Sequence, residues 1–108
     1  MSPMETLEFI FDSDPVLQSA QPAALCGVVG SGNLEILVQP GQDAGLCTVR
    51  VKTSARGFGT TWQAVLGAFA ATHAAGGTRI DINDMGATPA VVTLRLGQAL
   101  SEYQGGAR

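Results

Sequence analysis

Ala24-Leu25-Cys26-Gly27-Val28-Val29-Gly30-Ser31-Gly32-Asn33-Leu34-Glu35-Ile36-Leu37-Val38 reads as two strands meeting at a turn. After the turn, Leu34, Ile36 and Val38 alternate with their neighbours and share one side of a strand. Gly30-Ser31 fits a type II′ hairpin turn in which glycine supplies the positive φ, and Ser31-Gly32 is the second choice. On either choice Ser31 stands at the tip between Gly30 and Gly32, with no bulky neighbour to shield its hydroxyl. Gly-Ser-Gly-Asn is also ordinary turn chemistry. Ser31 therefore has two readings at this point: a plain turn residue, or a hydroxyl kept open for another enzyme. With Ser31 in a two-residue loop, Leu34 pairs with Gly27 or Val29. Both registers put Leu25, Val29, Leu34 and Ile36 on the core face and Cys26 on the opposite one.

The rest of the chain supplies what that hairpin packs against. Leu7 to Phe11 reads as an earlier strand with Leu7, Phe9 and Phe11 on one side, and Asp12 to Ala23 reads as a loop. Pro40 to Gly45 is a turn cluster, and Leu46 to Lys52 a further strand with Cys47, Val49 and Val51 on one side, so that the strands up to Lys52 form an antiparallel meander. If the hairpin through Pro40 to Gly45 matches apolar to apolar, Cys47 lies on the core face. On this parity the two cysteines lie on opposite faces of the sheet and do not bridge. Thr60 or Gly59 is positioned to cap a helix running to about His73, with Trp62, Val65, Leu66, Phe69 and His73 as its stripe and Gly76-Gly77 as its end. Thr78 to Asn83 alternates as a strand, and Asp84 to Ala87 turns the chain. Thr88-Pro89 starts a second helix whose apolar face is Val92, Leu96, Ala99, Leu100 and Tyr103. The fold expected is α+β: a two-layer sandwich in β-β-β-β-α-β-α order. It has a largely antiparallel sheet of four to five strands and two helices on one face, and the strands around the first helix run parallel.

Bulk properties narrow the function. The 108 residues make one domain, 1–108, with 1–4 and 104–108 as loose ends. At 45% hydrophobic residues the chain can bury a modest core. The net charge is −3 and the six basic residues are scattered, Arg50 with Lys52 coming nearest to a pair, which argues against nucleic acid. No apolar run approaches the roughly 20 residues of a membrane span. Met1 to Glu5 lacks a secretory pattern, and Met4 is a possible alternative start. Two cysteines without metal or disulfide spacing agree with a reducing, cytoplasmic location.

Catalytic equipment is sparse. The one histidine, His73, lies at a helix end beside Phe69 and reads as packing or helix termination. Asp81 and Asp84 read as solvated strand and turn residues, Gly57-Phe58-Gly59 lacks a phosphate-loop lysine, and Trp62 reads as core. A Ser31–His73 pair lacks an orienting acid or an oxyanion hole. An accessible serine on a chain without catalytic residues suits a protein on which chemistry is done.

Several segments resemble the acyl-carrier (delta) subunit of malonate decarboxylase: Met4-Glu5-Thr6-Leu7, Cys26 to Glu35, Thr53-Ser54 followed by Trp62-Gln63, and Asp81-Ile82-Asn83-Asp84-Met85-Gly86-Ala87-Thr88-Pro89 with Leu94-Arg95-Leu96. The carrier (gamma) subunit of citrate lyase is a more distant likeness. Asn33 stands where the pattern usually has aspartate, and the Asp-Ser-Leu motif of helical acyl carrier proteins is missing. The resemblance implies a non-catalytic subunit. Ser31, flanked by Gly30 and Gly32, would carry a 2′-(5″-phosphoribosyl)-3′-dephospho-coenzyme A arm through a phosphodiester. The thiol of that arm would hold acetyl or malonyl. A prosthetic-group transferase, malonyl transacylase, and the acyltransferase and carboxy-lyase subunits are the implied partners, and neither nucleic acid nor membrane is one. Asn33, Glu35, Asp84, Met85 and Gly86 are the docking residues expected. The competing readings are a citrate-lyase-type carrier, a binding or regulatory subunit with Ser31 in a structural turn, and a small serine hydrolase.

Overall fold

The computed structural model describes residues 4–16, 27–31 and 33–105, and for 27–31 the backbone course alone. Five strands and two helices follow in chain order: β1 (Glu5–Asp12), β2 (Gly27–Ser31), β3 (Leu34–Pro40), β4 (Leu46–Thr53), α1 (Gly59–Thr72), β5 (Thr78–Asp84) and α2 (Pro89–Tyr103). The β-β-β-β-α-β-α order is the one expected. The sheet runs β1-β4-β5-β3-β2, so the early strands do not form the antiparallel meander expected: β5 inserts between β3 and β4 and pairs with both. Only β4 and β5, the strands around α1, are parallel; the other neighbours are antiparallel. A helix between two strands of one sheet carries the chain back to its starting end, so parallel pairing follows from the connection.

Alternation decides which face is covered. Leu34, Ile36 and Val38 of β3, Cys47, Val49 and Val51 of β4, and Ile80 and Ile82 of β5 are all buried. The residues between them, among them Arg50, Lys52 and Arg79, face solvent. Trp62, Leu66 and Phe69 of α1 and Val92, Leu96, Ala99, Leu100 and Tyr103 of α2 close over that face in one core cluster. Both helices thus lie on the same side. Each fully buried Ile or Leu contributes about 1.5–3 kcal/mol of transfer free energy, which makes this layer contact the main source of stability. Arg50–Glu8 at 3.2 Å, on the open face, is exposed at both ends and adds little.

Four local expectations need correction. The β2–β3 ladder pairs Ser31 with Leu34, Gly30 with Glu35 and Val29 with Ile36. Leu34 therefore does not pair with Gly27 or Val29, and the two-residue connection is 32–33 rather than a pair that includes Ser31. Gly32-Asn33 has the glycine-first chemistry of such hairpins, and this register matches apolar Val29 to Ile36. Second, α1 begins at Gly59 with Phe58 in the capping position and no side-chain cap, so Thr60 lies inside the helix. Third, the helix stops at Thr72, and Gly76 is needed for a close approach instead, since a Cβ there would clash with the Ala44 and Ser13 carbonyl oxygens. This crowding lets Gly76 bond the incoming chain, its N–H donating to Asp14 O at 2.7 Å and its carbonyl accepting from Val16 N–H at 2.9 Å. The Ser13 hydroxyl lies 2.8 Å from Ala70 O and accepts from Ala75 N–H at 3.0 Å, so the segment after β1 fastens the end of α1. Finally, Gln104 and Gly105 are not loose, because their N–H groups donate to Leu100 O and Glu102 O. α2 otherwise starts as read, with the Thr88 side chain accepting from Val91 N–H at 3.3 Å and Pro89 in the first turn. Leu25 and Cys26 lie outside the described residues.

Two outcomes follow from the core. Phe69 is 2% exposed and central to the α1 stripe. Phe69→Ala should cost about 3–5 kcal/mol in chemical denaturation. Burial pushes the Cys47 thiol above its ordinary value of 9.0, opposed only in part by the hydrogen bond from Thr78. Above that ordinary value the unfolded chain loses a proton that the folded chain keeps. The thiol's contribution to stability is therefore full at lower pH and declines as the solution becomes alkaline. The alkaline fall in the urea midpoint should be shallower in Cys47→Val than in wild type.

Candidate functional site

The register gathers the conspicuous segments at one end of the sheet. Ser31 is paired with Leu34, Leu34 with Asp84, and Asp84 with Thr53. One row thus crosses the sheet from the edge strand β2 to β4. At about 4.8 Å per strand, the backbone of Ser31 lies about 10 Å from that of Asp84. The 32–33 connection is tied to the 84–87 turn by a hydrogen bond from Met85 N–H to Asn33 O at 2.8 Å. The loop after β4 joins as well, Ser54 N–H donating to Asp84 O at 3.0 Å.

Asp84 holds this junction together and is not the solvated residue expected. It is 2% exposed. One carboxylate oxygen accepts from the Thr53 hydroxyl at 2.8 Å. The other accepts from Gly86 N–H at 3.2 Å and Ala87 N–H at 2.8 Å. A carboxylate taken out of water needs such donors, and here a threonine and a turn backbone provide them. Gly86 fits this turn because its φ is +110°, a conformation that side chains resist. Asp84 is accordingly withdrawn from the docking surface, its side chain being enclosed. Asn33, Glu35, Met85 and Gly86 are exposed. Met85, at 59% exposure, is a large apolar side chain presented to solvent beside the hairpin. Glu35 accepts from the Asn83 side chain at 3.3 Å. Asp81 is half-buried and accepts from Gln39 at 2.7 Å.

On the helix side of the same turn lies an apolar cleft of about 310 Å³, lined by Ala55, Phe58, Trp62, Val65, Ala87 and Val92 among others. The burial of Trp62 agrees with its expected place in the core, but the opening beside it is not visible in the sequence. Its walls come from the loop after β4, the starts of both helices and the 84–87 turn, and no local pattern joins those. For Asp84 a signal does exist: its parity continues Thr78, Ile80 and Ile82, which turns its side chain inward.

His73 does not approach this end. It caps α1, stacks on Phe69 with ring centres 4.7 Å apart, and its Nδ1 lies 3.2 Å from Phe69 O. The helix-end reading of this residue holds. No group of three or more His, Cys, Asp or Glu side chains suited to a metal occurs among the described residues, and no described helix is long and apolar enough to cross a membrane.

Residues 21–103 match the family model of the malonate decarboxylase delta subunit (MdcD), an acyl carrier protein. The chain belongs to the malonate decarboxylase delta subunit family. It is 53% identical over 102 residues to the malonate decarboxylase acyl carrier protein of Acinetobacter calcoaceticus, covering 94% of this chain and 99% of the relative. The corresponding protein of Stenotrophomonas maltophilia is 50% identical over 103 residues, 95% of this chain and 97% of that one. Among solved structures, a chain of a Pseudomonas malonate decarboxylase hetero-tetramer crystallised with malonate superposes with a TM-score of 0.75 at 39% identity, over 93% of this chain and 99% of its own. The delta subunit is therefore a carrier and not a catalytic chain, and carriers of this kind bear a covalently bound prosthetic group.

Stability should report the Asp84 junction. Removing the carboxylate in Asp84→Ala leaves the Thr53 hydroxyl and two turn amides without their acceptor and should cost about 2–3 kcal/mol. Thr53→Val, which deprives one oxygen of its donor, should cost about 1–3 kcal/mol. Because the pair shares one hydrogen bond, the double variant should lose less than the sum, a difference that a denaturation double-mutant cycle measures.

Proposed function

We propose that this chain is the acyl-carrier subunit of a malonate decarboxylase and that Ser31 is its point of attachment. The group it would carry is 2′-(5″-phosphoribosyl)-3′-dephospho-coenzyme A, joined through a phosphodiester. The observation that supports the reading most directly is the position of Ser31, the last paired residue of an edge strand, immediately before a two-residue connection. A phosphodiester needs an alcohol, and a group that must visit several partners needs an anchor at a projecting end of the fold. Ser31 supplies the first and the β2–β3 hairpin the second.

The chain's own contribution is placement. The Met85–Asn33 backbone bond and the Asp84 junction fix the turn end of the hairpin against the central strand β5. An anchor on ordered elements is held more accurately than one on a free loop. Gly30 and Gly32 carry no side chains, which keeps both flanks of the serine open to a transferase. Exposed Asn33, Glu35, Met85 and Gly86 border the attachment point and form the surface offered to the acyltransferase and carboxy-lyase subunits. When attached, the group supplies a thiol whose acyl thioester delocalises the charge released by loss of carbon dioxide. Tethering raises the effective concentration of that thioester at each partner's site.

Intact mass tests the proposal. The protein produced together with its prosthetic-group transferase should gain one coenzyme-sized increment, and Ser31→Ala should gain none while keeping its stability within about 0.5 kcal/mol of wild type. An increment that persists in Ser31→Ala, or its failure to appear on the wild-type chain, would overturn the assignment.

A further inference from the structure

The apolar cleft beside the 84–87 turn is a feature of the fold that the carrier role leaves unused. Its volume of about 310 Å³ sits at the lower end of small-ligand pockets. That is enough for a thiol or short acyl group with a few attached methylene and amide units, and too little for a nucleotide. Its walls decide the chemistry. Ala55, Phe58, Trp62, Val65, Ala87 and Val92 are apolar, and Phe58, at 51% exposure, leaves the mouth open to solvent. The one charged wall residue, Asp84, is already committed to Thr53, Gly86 and Ala87.

Position decides the occupant. The 84–87 turn bonds Asn33 on one side and forms a wall of the cleft on the other, so the nearest wall of the cleft, at Asp84, lies about two strand spacings from the Ser31 backbone. We infer that the cleft receives the sulfur end of the arm carried by Ser31 and that it discriminates among the states of that end, an inference that rests on Ser31 being the attachment point. The free thiol and the acetyl thioester are neutral and gain from leaving water for an apolar wall. The malonyl thioester ends in a carboxylate, which loses most of its hydration there, finds only the Thr61 hydroxyl as a side-chain donor in the walls, and faces the carboxylate of Asp84. The cleft therefore shelters the product-bearing arm and excludes the substrate-bearing one. The malonyl group stays outside, available to a decarboxylating partner, and the acetyl thioester is withdrawn from hydrolysis between encounters.

Trp62, the one tryptophan of the chain, lines the cleft at 7% exposure and reports its filling. The experiment compares its emission in the unmodified, thiol, acetyl and malonyl forms of the full-length protein, each verified by intact mass. Emission should move to shorter wavelength in the thiol and acetyl forms, and the malonyl form should match the unmodified protein. Ala55→Leu, which fills the cleft from a loop, should abolish the shift and speed the cleavage of the acetyl thioester by hydroxylamine. Should that variant unfold, the acetyl–malonyl comparison in wild type still decides. Identical spectra for the unmodified and acetyl forms, with the arm present by mass, would overturn the cleft inference and leave the carrier assignment standing. Equal shifts for acetyl and malonyl would overturn the discrimination. Failure of the arm to attach at Ser31 would remove both.

Discussion

A buried carboxylate at the end of the central strand organises the working end of this molecule. Asp84 closes β5, between β3 and β4, and its two oxygens collect the Thr53 hydroxyl and the amides of Gly86 and Ala87. Its own backbone carbonyl accepts from Ser54. Four separate stretches of chain are thereby held in one place: the end of β4, the turn into α2, the end of β5 and, through Met85 and Asn33, the β2–β3 connection. Burying a charge is expensive unless its hydrogen bonds are made inside the fold, so this arrangement leaves the 84–87 turn little freedom. The hairpin that ends β2 inherits that rigidity.

The layout explains how a small carrier can be both stable and accessible. Stability comes from one covered face, where Ile36, Ile80, Ile82, Leu66 and Leu96 are fully enclosed between the sheet and both helices. Access comes from the sheet's edge and end, where the ladder of β2 and β3 finishes at Ser31 and Leu34. The exposed apolar side chains Met85 and Phe58 lie at that same end, away from the fastening of Ser13 and Gly76 to the finish of α1. The two demands are met at different places on the fold, which is why neither compromises the other.

Much of this was legible in the linear chain, and the failures have physical causes. Alternation in Leu34–Val38, Leu46–Val51 and Thr78–Ile82, together with the stripes of α1 and α2, gave both the elements and their buried faces. Thr88-Pro89 marked the start of α2. Some misses are local, and the others involve contacts with distant chain. Phe58 heads α1 with no side-chain cap, so nothing local marks it there. Gly76 looks like a helix terminator until the backbone of Ser13 and Asp14 comes against it. Asp84 looks like a turn residue until Thr53, 31 residues earlier, is brought alongside by the parallel pairing of β4 and β5.

The sequence by itself determined the number, order and kind of elements, the side that each turns toward the core, and the serine-bearing segment, because each is written in the spacing of residues within a few positions. Only the tertiary structure decided the pairing of Ser31 with Leu34, the partners that satisfy the Asp84 carboxylate and the cleft beside it. Register and enclosure depend on which distant strands become neighbours, and that outcome is set by the fit of the whole apolar face rather than by any short stretch of it.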